Sequence, residues 1–125
     1  MNTMTVVGNL TADPELRFTQ TGKPVAHFTI ASTPRCFDRE TGTWVDGDTV
    51  FLRCNAWGAT AENTTEALTK GSRVLASGQV IQRSYEDKDG VTRTVVELDV
   101  DEIGATLRFT TRTSPRTPAA QPATV

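Results

Sequence analysis

The chain has 125 residues, 37% of them hydrophobic, which fits one domain with a modest core and excludes two. The net charge of -2 hides an uneven spread: residues 104–125 hold Arg108, Arg112 and Arg116 and no acid, a net +3, while residues 1–103 hold the other ten basic and all fifteen acidic residues, a net -5. What a charged partner senses is where cations cluster, so the overall balance decides nothing. No apolar run approaches the roughly 20 residues of a membrane helix. Met1-Asn2-Thr3-Met4 leads straight into a strand-like pattern with no basic-then-apolar leader, so a cytoplasmic location is expected.

Residues 3–103 are rich in Val, Thr and period-two alternation, broken at short intervals by turn residues, which reads as five or six strands of an all-β sheet or barrel. A first strand covers residues 4–9, is interrupted at Asp13-Pro14, and resumes over 16–19 before a turn at 21–24. Residues 25–33 make a second strand, with Phe28 and Ile30 on one face and His27, Thr29 and Ala31 on the other. Residues 34–48 read as a polar loop with turn signals at Thr41-Gly42 and Asp46-Gly47, and 50–57 as the third strand. Residues 58–70, rich in Ala and Glu and ended by Gly71, are the one plausible helix. A long strand over 73–85, a hairpin tip at 86–90 with Asp89-Gly90, and a return strand over 92–103 follow. Leu107 and Phe109 alternate with Arg108 and Thr110 and would extend a short further strand, whereas Ser, Thr, Pro and Ala dominate from Thr113 onward and predict a disordered tail.

Three strands, a helix between strands 3 and 4, and a two-stranded hairpin make the strand order of an OB-fold, a five-stranded Greek-key barrel that binds oligomers on its outer face. Topology leaves the ligand open, since oligosaccharides and RNA also use this fold.

The third strand is the most informative segment. Its alternation predicts Val50, Leu52, Cys54 and Ala56 inward and Phe51, Arg53, Asn55 and Trp57 outward. Two large aromatics with a cation between them on a non-core face suit base stacking and phosphate binding. The same residues also fit packing under the helix or in a subunit interface, where aromatics are enriched. Arg83 and Tyr85 repeat the pattern on one face beside a tip carrying Lys88, although a solvated hairpin would look the same. Arg35 and Phe37, with Trp44 at the loop tip, form a third cluster, in which Trp44 is equally suited to covering the barrel rim.

Other chemistry finds little support. Cys36 and Cys54 lack metal-ligand spacing and read as free thiols in a reducing compartment. His27 is a lone histidine, read as structural or at a subunit contact. Glu97, Asp99, Asp101 and Glu102 form an acidic edge without a clustered Asp/Glu/His motif, so no metal or cofactor site is expected. There is no nucleophile elbow, phosphate loop or dinucleotide fingerprint, so no enzyme is expected. A protein-interaction module on the same fold and a small nuclease are the rival readings.

Taken together, Val7-Gly8-Asn9-Leu10, Asp13-Pro14-Glu15-Leu16-Arg17, Thr41-Gly42, the strand from Phe51 to Gly58, and Lys70-Gly71-Ser72-Arg73-Val74 running into Gly78-Gln79 resemble the bacterial single-stranded DNA-binding proteins over residues 3 to 110. Pro34-Arg35-Cys36-Phe37-Asp38-Arg39 and Val100-Asp101-Glu102-Ile103-Gly104 look most like actinobacterial members. The resemblance implies a binding domain over 1–110, a short basic tail over 111–125, a homotetramer wrapped by single-stranded DNA, a nucleoid association, and roles in replication, recombination and repair. It places stacking aromatics at Phe51, Trp57 and Tyr85 and phosphate contacts at Arg53, Lys70 and Arg83. A loop position where many relatives have Trp falls on Cys36, which shifts that contact to the adjacent Phe37. Arg35, Lys88 and Trp44 complete the candidate set. Most relatives end in an acidic tip that recruits partner enzymes, but no acid follows Glu102 here, so such docking is expected to be absent.

Overall fold

The computed structural model describes residues 1–108. Eight strands and one helix follow in chain order: β1 (Thr3–Leu10), β2 (Glu15–Phe18), β3 (Pro24–Ser32), β4 (Arg35–Asp38), β5 (Thr43–Asp46), β6 (Val50–Trp57), α1 (Ala59–Ala67), β7 (Arg73–Glu86) and β8 (Thr92–Ala105). β1 pairs with β7, β7 with β8, β8 with β6, and β6 with β3, and β3 returns to β1, so five strands close a ring. All these pairings are antiparallel except β6–β8, which is parallel, and β2 lies on the free side of β3 as the resumption of the first strand. This is the five-stranded barrel with one short helix that the sequence predicts.

Closure depends on two glycines. Where β1 meets β3, a Cβ on Gly8 would stand 2.3 Å from the Ala31 carbonyl oxygen. On β7 at a bulge, a Cβ on Gly78 would stand 2.0 Å from the Asp99 carbonyl oxygen. Neither position has room for a side chain. Inside the ring, Leu10, Ile30, Val74, Leu98 and Cys54 are fully buried, and Phe28 and Leu52 pack with them. Each such aliphatic side chain contributes about 1.5–3 kcal/mol on burial.

The helix is shorter than the expected 58–70. It stops at Ala67 because Leu68 turns to an extended conformation and is buried in the core. The chain then makes a turn in which the Gly71 N–H donates to the Leu10 carbonyl, tying residues 69–72 to the end of β1.

Three further expectations are corrected. Residues 34–48 are not a plain loop, since β4 and β5 form a separate two-stranded sheet. The Ser32–Val50 pairing ends the β3–β6 ribbon, and the Gly47 N–H to Pro34 carbonyl bond carries it on into this hairpin. Val50 is 51% exposed instead of inward, because it sits at the ribbon's end, beyond the ring of core residues. Leu107 lies outside any strand and is exposed, β8 having ended at Ala105, and Phe109 and the tail lie outside the described residues.

Candidate nucleic-acid interface

β6 projects Phe51, Arg53 and Trp57 outward while Leu52, Cys54 and Ala56 enter the core, as the pleat requires. Phe51 is 67% exposed, Tyr85 on β7 is 50% exposed and Trp57 is 36% exposed. Large apolar rings held in water on one face are costly unless they meet a partner. Arg53, Arg83, Tyr85 and Val95 line an open groove of about 600 Å³ across β6, β8 and β7, floored by Glu97. Phe51, two residues before Arg53, shares that face of the strand. The groove therefore brings together Arg53, Arg83 and Tyr85, with Phe51 on the same side of β6.

The fourth residue expected outward on β6, Asn55, is only 4% exposed, and a polar network covers it. Its amide nitrogen donates to Glu97 Oε1 at 2.8 Å and to Asp99 Oδ1 at 3.3 Å, and its oxygen lies 2.7 Å from His27 Nδ1. Glu97, 6% exposed, also accepts from Arg83 Nε at 3.0 Å. That bond orients the guanidinium and leaves its terminal nitrogens to the groove. The sequence marks Glu97 as part of an acidic edge and does not reveal this role; its period-two place beside Val95 and Asp99 on the outer face is the available signal. Burial, then the neighbouring Glu97 charge, pushes the Cys54 thiol up to about 12, which makes it an inert core residue.

Lys23 was also missed. Its Nζ stands 5.5 Å from the centre of the Trp57 ring, a cation–π contact that places a positive charge beside this exposed ring. The turn that carries Lys23 meets Trp57 only through strand pairing, so nothing local marks it.

The remaining candidates lie on other elements. Phe37 and Trp44 face each other on the β4–β5 hairpin, edge to face with centroids 5.5 Å apart, and both are exposed. Arg35 on the same hairpin is 3.7 Å from Asp46 in a solvent-exposed pair of little energetic weight. The backbone N–H of Lys70 donates to Asp13 Oδ1 at 2.7 Å, which fixes the turn beside the β1–β2 connection while the lysine itself is exposed. Lys88 is exposed at the β7–β8 tip. Asp87 organises that tip by accepting from Arg93 Nε and from the Val91 and Asp89 N–H groups. The Arg93 guanidinium first, then those N–H bonds, hold the Asp87 carboxyl below the usual carboxylate range.

A closed five-stranded barrel with one short helix, here with aromatics and arginines exposed across its β6–β8–β7 face, is an OB-fold. The model of the single-strand binding protein family matches residues 1–106, and the chain belongs to that family. It is 62% identical over 109 residues to a single-stranded DNA-binding protein of Mycolicibacterium smegmatis, covering 87% of this chain and 66% of that one. It is 59% identical over 108 residues to single-stranded DNA-binding protein 2 of Streptomyces coelicolor, covering 86% of this chain and 54% of that one. The chain thus spans just under two thirds of the first relative and about half of the second. The crystal structure of a small single-stranded DNA-binding protein from Streptomyces coelicolor superposes with a TM-score of 0.72 at 32% identity, covering 84% of this chain and 94% of that one.

Proposed function

We propose that this chain binds single-stranded DNA with little regard to sequence and catalyses no reaction. Bases stack on Phe51, Trp57 and Tyr85, and Phe37 and Trp44 receive the strand at the hairpin. Arg53 and Arg83 neutralise phosphates on the barrel face, with Lys70, Arg35 and Lys88 at its margins. The working form is a cytoplasmic, nucleoid-associated homotetramer that protects exposed strands in replication, recombination and repair. The single observation that carries this reading is the exposure of Phe51 and Tyr85 on the face whose groove Arg53 and Arg83 line. Every base has a π-face, so stacking tolerates sequence, at about 1–3 kcal/mol per base, a magnitude that belongs to this class of protein as a whole. Duplex DNA hides those faces in its own stack.

Titration of the tryptophan fluorescence with oligo-dT and with a duplex of equal length, at several salt concentrations, tests the proposal. The expected result is preference for the single strand and an affinity that falls with salt, by a slope of about 0.7 per neutralised phosphate. Equal affinity for duplex, or affinity indifferent to salt, overturns it.

A further inference from the structure

We infer that the β2–β3 turn is one end of the strand interface, where the Lys23 ammonium over Trp57 takes the phosphate of the nucleotide that stacks on that ring; the inference rests on the single-strand reading above. The turn holds the Lys23 backbone firmly. The Thr19 N–H donates to the Lys23 carbonyl at 2.9 Å, and the Lys23 N–H donates to Thr19 Oγ1 at 3.1 Å. Between them Gly22 takes a φ of 85°, a conformation that favours glycine, and donates its N–H to the Thr19 carbonyl at 2.8 Å. The lysine side chain itself is exposed. Register then brings the turn to the indole. Pro24 opens β3 directly after Lys23, and Val25 pairs with Trp57 of β6 on one side and with Arg17 of β2 on the other.

The charge of Lys23 is the one on this flank left without a carboxylate. Arg17, in the same cross-strand row, donates its Nε to Glu15 at 2.8 Å, and Arg83 is held by Glu97. Among the described residues no carboxylate pairs with Lys23, whose ammonium rests against the indole. An exposed cation–π contact is weaker than a base stacked on an aromatic ring. An arriving base can therefore take the ring while the ammonium swings to its phosphate on a flexible four-carbon stem. Trp57 lies two pleats beyond Arg53 on the same side of β6, so a strand seated beside Tyr85 and Arg53 reaches it along β6 and ends over the turn.

The test is the affinity for labelled oligo-dT by fluorescence anisotropy across a salt series, for the unmodified chain, Lys23→Met, Lys23→Arg, Trp57→Ala and the Lys23→Met/Trp57→Ala double variant. Methionine keeps the apolar stem and removes the charge. Lys23→Met is expected to lower the salt slope by about 0.7, so that its deficit is about fivefold larger at about 50 mM than at about 500 mM salt. Lys23→Arg is expected to restore the slope. In the Trp57→Ala background the Lys23→Met deficit should shrink to less than about twofold, because no stacked base then brings its phosphate to the turn. A Lys23→Met line parallel to that of the unmodified chain, or a deficit that survives undiminished without Trp57, overturns the role of Lys23 while leaving single-strand binding in place. Failure of the unmodified chain to bind oligo-dT overturns the single-strand reading and this inference with it.

Discussion

Replacing Phe51 by alanine separates a ligand surface from a core. The ring is 67% exposed, so folding hides about a third of it. Full burial of a phenylalanine is worth about 1.5–3 kcal/mol, and a third of that is about 0.5–1 kcal/mol of stability. A base stacked on the ring is worth about 1–3 kcal/mol, a loss of roughly five- to 150-fold in affinity. Phe28→Ala is the control, since Phe28 is 6% exposed inside the barrel and its truncation should cost about 3–5 kcal/mol. Both variants are unfolded thermally at one protein concentration, because the proposed homotetramer would make melting concentration-dependent. The affinity of Phe51→Ala for oligo-dT is measured at fixed salt. Phe51→Ala should melt close to the unmodified chain and bind poorly. A melting loss as large as that of Phe28→Ala, with affinity unchanged, would show that the ring supports the fold and not the strand.

Three further outcomes follow from the packing. Gly78→Ala must push a Cβ against the Asp99 carbonyl oxygen, so it should lower stability by about 1–3 kcal/mol or more, measured by denaturant unfolding; an unchanged midpoint would mean that β8 shifts freely. A thiol reagent at mildly alkaline pH should label exposed Cys36 and leave Cys54 untouched in the folded chain, because a thiol pushed up to about 12 carries about a thousandfold less thiolate than an ordinary one. The raised value also sets a sign: stability should fall as pH rises through the ordinary thiol range toward about 12, since unfolding then releases a proton. Equal labelling of both cysteines before unfolding would contradict the placement of Cys54.

The parts of the fold that were legible in the sequence are those governed by period-two alternation between turn residues. The Phe51, Arg53 and Trp57 side of β6 and the Phe28 and Ile30 side of β3 could be assigned that way. Alternation assigns a face but not a depth. It put Asn55 outward without showing that His27, Glu97 and Asp99 close over it from two neighbouring strands. It also put Val50 inward without showing where the ring of core residues ends. Residues 35–46 read as a loop because their many polar residues give no buried face, yet as the continuation of the β3–β6 ribbon they still pair. The contact of Lys23 with Trp57 and the bond of Arg83 to Glu97 join residues far apart in the chain, and register, which only the folded sheet supplies, brings them together.

Photo-cross-linking of a halogenated-uracil strand to the unmodified chain, with the modified residues located by mass spectrometry, tests the location of the interface most directly. Cross-links on Phe51, Trp57 and Tyr85, competed away by unlabelled oligo-dT, are the predicted result. Cross-links confined to α1 and β1, with those three rings unmodified, would contradict it.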